Sequence, residues 1–309
     1  MKQQLLIAEF LSTPWALMPE RLSAMAGVLS RWQAGIAPSA DVMAAISHDR
    51  EAAAAKRATN VRAGGGGIAV LPLYGVVTQR GNMADDISGP GSVSTQRFTQ
   101  AFREAMADDS VGQILIDIDS PGGSVYGVAE LAAEILQARS SKPVVAYANS
   151  LAASAAYWVG CAASEMYVTP SGEVGSIGVW QAHQDVSQAM ADAGVKTTMI
   201  SAGKFKTEGH PYAPPGEEAL AFMQSRVNDY YGAFTVAVSK GRRVSIDAVR
   251  NGMGQGRVLG ADAALAEKMV DGVMTFDDVV RKMQRNAKAS MRPAASRVAQ
   301  AQRDIAILS

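Results

Sequence analysis

Only one cysteine, Cys161, occurs in the 309 residues. A lone thiol can form no internal disulfide and has no second thiolate with which to share zinc, which points to a reducing compartment. Charge surplus is missing as well: 29 lysines and arginines balance 29 aspartates and glutamates. Without a basic excess to neutralise phosphates, a general nucleic-acid binder is excluded. No run of about eighteen apolar residues occurs, so a soluble chain with no membrane span is expected. Met1 to Leu11 carries one lysine and an apolar stretch broken by Glu9, with no small-residue cleavage pattern after it, which does not make a signal peptide. Histidine is scarce too. His48, His183 and His210 are the full set, and none is paired by motif with an aspartate, so a Ser-His-Asp triad has no evident base.

The order of apolar runs and turns predicts an α/β chain in three parts. Residues 1–63 read as a helical N-terminal arm and linker: Pro14, Trp15, Leu17, Met18, Leu22 and Met25 approximate a helical stripe, suited to docking on the main domain or on a neighbouring subunit. Residues 64–285 read as the main domain, and residues 286–309 as a flexible basic tail. The glycines Gly64 to Gly67 precede the first core strand, Ile68 to Val77. That is the reverse of a phosphate loop, so they read as a linker. Strands are expected at Gln113–Asp119, Lys142–Tyr147, Glu165–Thr169 and Lys196–Ile200. Helices are expected at Phe98–Met106, Val125–Ala138, Gln184–Ala193, Pro215–Lys240, Ile246–Asn251, Gly260–Lys268 and Phe276–Met283.

Two turns carry chemistry. Ser120-Pro121-Gly122-Gly123-Ser124 follows a buried strand, and its glycines leave backbone N–H groups unblocked where ligands gather in open α/β folds. Ser154, among Ala152, Ala153, Ala155 and Ala156, sits where a strand passes into a helix. It can serve as a helix N-cap, or it can present its hydroxyl to a cleft beside the N–H groups of the next turn. With no histidine at hand, the base for such a serine would be an amine. Lysine ordinarily titrates near 10.4, and burial in an apolar pocket lowers that by up to about 3–5 units. Lys204 and Lys206, flanking Phe205 after a predicted strand, are the candidates.

Asp119 to Ser124, Ala152 to Trp158, Gly175-Ser176-Ile177-Gly178-Val179 and Gly203 to Lys206 together resemble, in order and spacing, the signal peptide peptidase A family of serine-lysine peptidases. The similarity runs from about Ile68 to Met283 and includes the Gly256-Arg257-Val258 turn. Within that family the likeness is to the capsid-assembly (prohead) proteases of lambda-type phages, which share the N-terminal arm and a histidine after Ser-Ile-Gly-Val, here His183. The resemblance implies a Clp protease/crotonase-like spiral of repeated ββα units. It implies Ser154 as nucleophile, Lys206 rather than Lys204 as general base, Ser176 orienting the lysine, and an oxyanion hole of the backbone N–H groups of Gly122 or Gly123 and of Ala155. It further implies no metal or organic cofactor, protein substrates such as capsid, scaffold or portal proteins, a homo-oligomer whose site is completed between subunits, and a place in the host cytoplasm or the prohead. A bacterial signal-peptide-degrading peptidase and a catalytically silent prohead component are the alternatives. Bacterial members carry two glycines after the serine; this chain has Ala155 and Ala156, which narrow the approach and favour small substrate side chains.

Overall fold

The apolar run at Gln113–Asp119 becomes the middle of a ten-residue strand flanked by parallel partners, because every second side chain finds cover on each face. A computed structural model describes residues 14–18, 67–80 and 92–290, with side chains to residue 287. Its strands are β1 (Trp15–Leu17), β2 (Gly67–Tyr74), β3 (Val76–Thr78), β4 (Ser92–Ser94), β5 (Val111–Ser120), β6 (Gly122–Ser124), β7 (Val144–Ala153), β8 (Glu165–Val168), β9 (Glu173–Gly175), β10 (Val258–Gly260) and β11 (Gly272–Val273). The α-helices are α1 (Thr95–Ala107), α2 (Val128–Ala138), α3 (Ala155–Gly160), α4 (Ser187–Asp192), α5 (Glu217–Arg242), α6 (Ile246–Asn251), α7 (Ala261–Ala266) and α8 (Phe276–Ser290).

The architecture is mixed α/β with two sheets. The larger runs β10-β9-β7-β5-β2, and β8 joins β7 and β11. All its pairs are parallel except β10 with β9. The smaller runs β1-β6-β3-β4, with β1 antiparallel to β6. On β5, Ile114, Ile116 and Ile118 face a core shared with Phe102 of α1 and Leu131 and Ile135 of α2, while Leu115 faces a second cluster closed by Val279 and Met283 of α8. The Gln113 side-chain amide donates to the Met283 carbonyl at 2.8 Å, fixing α8 on that face.

Several expectations need correction. Pro14 to Met18 does not belong to a helix: Trp15–Leu17 is strand β1, because β6 offers it a free edge. The rest of the expected arm lies outside the described residues. Lys196–Ile200 pairs with nothing among the described residues and is exposed throughout, Ile200 to 95%, so its β-branched pattern finds no sheet. The helix expected from Phe276 runs on to Ser290, five residues into the predicted flexible tail, since Ala287 remains buried. Residues 291–309 lie outside the described set.

Candidate active site

Three chain turns converge at the C-terminal ends of β5, β7 and β9. The first leaves β5 at Ser120 and Pro121. The Ser120 hydroxyl donates to the Gly75 carbonyl at 2.6 Å and accepts from the Gly122 N–H at 3.2 Å, tying the turn to the loop between the sheets. Gly122 has φ +99°, and a Cβ there would press on the Ala16 carbonyl oxygen and on Ser154 Cβ, so glycine is required by both conformation and space. Gly123 lies against the Val77 backbone in the same way.

The second turn holds Ser154 between β7 and α3, with φ 55° and ψ −119°. A non-glycine residue there is strained at a cost of roughly 1–3 kcal/mol, which the surroundings must hold in place. They do so from both sides: the Ser154 N–H donates to the Gly175 carbonyl at 2.7 Å, and its carbonyl accepts from the Trp158 N–H at 2.9 Å. Ser154 is 1% exposed, and its Oγ has no hydrogen-bond partner. The serine is therefore not a side-chain N-cap, and its hydroxyl is buried and unengaged. Ala155 opens α3 fully buried, and its N–H belongs to the first turn, whose donors have no intrahelical acceptor.

What braces this elbow is α3 packed on α5. Trp158 stacks on Phe234 with centroids 4.6 Å apart and planes 5° from parallel. The Tyr157 hydroxyl donates to the Met269 carbonyl at 3.0 Å. Gly241 lets the two helices touch backbone to backbone, since a Cβ on it would meet the Cys161 carbonyl group.

The third turn is Gly175-Ser176, with φ +126° and φ +53°. The Ser176 N–H donates to the Arg257 carbonyl at 2.8 Å, and Ser176 is 7% exposed. That explains the Gly256-Arg257-Val258 turn: β10 lies antiparallel to β9 and clamps the strained pair from its far side. Ser154, Ser176, Gly122, Gly123 and Ala155 are thus gathered by three adjacent strand ends.

Lys206 is not gathered with them. It lies in the turns at residues 203–209, is exposed, and its ammonium has no partner among the described residues. The pocket burial expected for it does not occur within one chain. Lys204 is engaged elsewhere, paired with Glu218 at 2.9 Å and lying 4.4 Å above the Phe205 ring. His183 contacts the His210 carbonyl at 3.2 Å, so the histidines brought together belong to the 180–212 segment and not to Ser154. Beside this segment opens a groove of about 1240 Å³, walled by Phe205, Pro211, Phe222, Met223 and Tyr230.

Sequence reasoning missed two features of the site. Trp180 docks against Trp15, and the Trp180 indole N–H donates to the Leu17 carbonyl at 2.8 Å. Gly175 needs its positive φ, for which a glycine directly before a serine at a strand end was the only signal. Among the described residues no cluster of three or more His, Cys, Asp or Glu could hold a metal, and no helix is long and apolar enough to cross a membrane.

The same elements are matched by known proteins. Residues 137–290 match peptidase family S49. The head-tail preconnector protein GP5 of Enterobacteria phage P21 is 31% identical over 248 residues, 79% of this chain and 49% of that protein. Capsid assembly protease C of Escherichia phage lambda is 33% identical over 210 residues, 66% of this chain and 47% of that protein. The chain thus spans about half the length of these two phage relatives. A Methanocaldococcus jannaschii protein, named provisionally as a protease, is 30% identical over 227 residues, and there the likeness covers 74% of this chain and 73% of its relative. The likeness to the archaeal protein extends over most of both chains and the family match takes in both the Ser154 and the Ser176 turns, so this chain belongs to peptidase family S49.

Proposed function

We propose that the chain is a serine endopeptidase acting through a Ser154–Lys206 dyad, on a Clp/crotonase-like spiral fold, and that it processes scaffold, portal or capsid proteins during phage head maturation. The observation that carries the reading is Ser154 itself: strained, buried, and with a hydroxyl that bonds to nothing. A structural serine would spend that hydroxyl on a cap or a carbonyl, as Ser120 does.

In the proposed reaction Lys206, neutral and desolvated, takes the Ser154 proton as Oγ attacks the peptide carbonyl. The oxyanion is held by N–H groups of Gly122 or Gly123 and of Ala155, each such donor being worth a factor of about 10²–10³. The C–N bond breaks as the leaving amine takes the proton from Lys206. Water, activated by the same lysine, then releases the acyl group and restores the Ser154 hydroxyl. Ser176 orients the amine.

Because Lys206 is exposed in a single chain, the reading requires a neighbouring copy to bring a lysine to each serine and to desolvate it. The exposed Phe205 and Phe222, which wall one groove beside the segment that carries Lys206, support such a homo-oligomer, since large apolar side chains clustered on a surface mark contact sites. The names of the phage relatives support the head-maturation role and a site in host cytoplasm or prohead. The same exposure of Lys206 is what favours the rival, a catalytically silent prohead component.

Intact mass separates the two after wild type, Ser154→Ala, Lys206→Ala and Lys204→Ala are each incubated with a candidate scaffold or capsid protein. Cleavage by wild type and Lys204→Ala, but not by the other two, is the expected result. Cleavage by Ser154→Ala would remove the nucleophile assignment, and a silent wild type in its assembled state would favour the rival.

A further inference from the structure

The strand position nearest Ser154 is already filled by the chain itself. β1 lies antiparallel on β6 with Trp15 opposite Ser124, Ala16 opposite Gly123 and Leu17 opposite Gly122. The Met18 N–H donates to the Pro121 carbonyl at 3.2 Å, and the Val125 N–H donates to the Pro14 carbonyl at 3.3 Å. In an antiparallel ladder the hydrogen-bonded pairs alternate. Pairs 18/121 and 14/125 therefore make 16/123 the pair between them, with the Gly123 N–H facing the Ala16 carbonyl. A Cβ built on Gly122 would meet both that carbonyl oxygen and Ser154 Cβ, the latter at 2.8 Å, so the Ala16 carbonyl and the serine abut the same point.

The other edge of β1 is held as well. Trp15 and Trp180 exchange backbone hydrogen bonds of 2.8 and 2.9 Å, and the Trp180 indole N–H reaches the Leu17 carbonyl. Trp15, Ala16 and Leu17 are 4%, 0% and 1% exposed. A short strand with partners on both edges, running past an unpartnered serine with one carbonyl turned toward the glycine N–H groups, is the way an extended peptide adds to a sheet edge for recognition. Pro14 lies at the groove walled by Phe205 and Phe222, which continues the path on the N-terminal side.

We propose that Pro14–Met18 is an internal ligand of the peptide groove. It occupies the place of a substrate, sets the Ala16–Leu17 bond against Ser154, and competes with any peptide offered from outside. The groove then takes extended peptides with an alanine-sized residue before the bond presented to the serine, because Ala16 is fully enclosed. The inference rests on the reading of Ser154 as the centre of a peptide site.

The test uses the full chain in the Ser154→Ala background, so that no chemistry occurs. A fluorescein-labelled peptide of the sequence Ser12 to Glu20 is titrated by anisotropy against Ser154→Ala and against the same chain carrying Trp15→Asp and Leu17→Asp, whose buried charges expel β1. A tethered competitor acts at millimolar effective concentration, so expulsion should tighten peptide binding by at least tenfold. A second chain with Met18→Pro, which removes the N–H that donates to the Pro121 carbonyl and fixes φ at the end of β1, should shift binding the same way by a smaller factor and without charge in the core. The peptide remade with tryptophan at the Ala16 position should bind at least tenfold more weakly to the expelled chain. Equal affinity for parent and expelled chains, or binding to none of them, would overturn the inference. Binding in the expected order by a chain whose Ser154 parent cleaves nothing would leave it standing and sink the proposed activity instead.

Discussion

Two serines of the site should respond to alanine with opposite signs. Ser154 Oγ is buried without a partner, and an unsatisfied buried hydroxyl costs about 1–3 kcal/mol. Removing it leaves no other group unpaired, so Ser154→Ala should stabilise the fold by about 1–2 kcal/mol. For a region of roughly 200 residues each kcal/mol moves Tm by about 2–4 °C. Ser154→Gly also relieves the φ of 55°, a strain of about 1–3 kcal/mol that exceeds the roughly 0.4–1 kcal/mol by which glycine favours the unfolded chain. It should therefore melt at or above the alanine variant. Ser120→Ala is the counterweight: its hydroxyl joins the half-buried Gly75 carbonyl to the buried Gly122 N–H, and losing it leaves that N–H without this acceptor, for a loss of about 1–3 kcal/mol. Scanning calorimetry on the three variants, with labelling by a fluorophosphonate to follow Ser154, reads both effects. If Ser154→Ala melts below wild type, its hydroxyl has a structural partner and the case for a poised nucleophile falls.

Burial pushes the Cys161 thiol up to about 12. Native chain should thus resist iodoacetamide at pH 8 and take up one equivalent only on denaturation, while rapid native labelling would contradict the buried α3–α5 contact. Gly241→Ala should cost about 3 kcal/mol, read as a fall in Tm, because the added methyl group meets the Cys161 backbone and neither helix can yield cheaply; an unchanged Tm would show the crossing to be looser. Burial alone would raise the Asp271 carboxyl, but the Arg242 guanidinium at 2.8 Å and the Met166 N–H outweigh it and hold it below its usual value. Its contribution is therefore present above the unfolded value of about 3.9 and lost as pH falls through the lower folded value. Arg242 is nearly buried while Asp271 is partly exposed, so solvent screening of the carboxylate cuts the cost below that of a fully buried pair, and Asp271→Asn should cost about 1–2 kcal/mol near neutral pH. Urea titrations from pH 6 to 2.5 should show that gap closing, and a gap constant with pH would rule out the charge as its source.

Patterns that repeat within a few residues were decided by the sequence itself. The unbroken apolar run of β5 announced a strand buried on both faces, because cover on both sides leaves no polar position. Pro121-Gly122-Gly123 and the alanines around Ser154 marked the sharp turns, since only small or glycine residues permit such close approaches. Four ordered motifs were enough to indicate the family.

Tertiary structure alone decided the rest, and the reason lies in partners distant along the chain. Trp15–Leu17 has a helix-like apolar spacing, yet it becomes a strand because β6, more than a hundred residues later, offers backbone donors and acceptors. Lys196–Ile200 has strand composition but is given no edge to pair with among the described residues. The positive φ at Ser176 is held by the Arg257 carbonyl, a contact no local pattern encodes. Lys206 is the sharpest case: its place after Gly203 and Phe205 fixes its type and position, but burial, and with it the ability to act as a base, depends on what surrounds the ammonium, which a single chain leaves exposed.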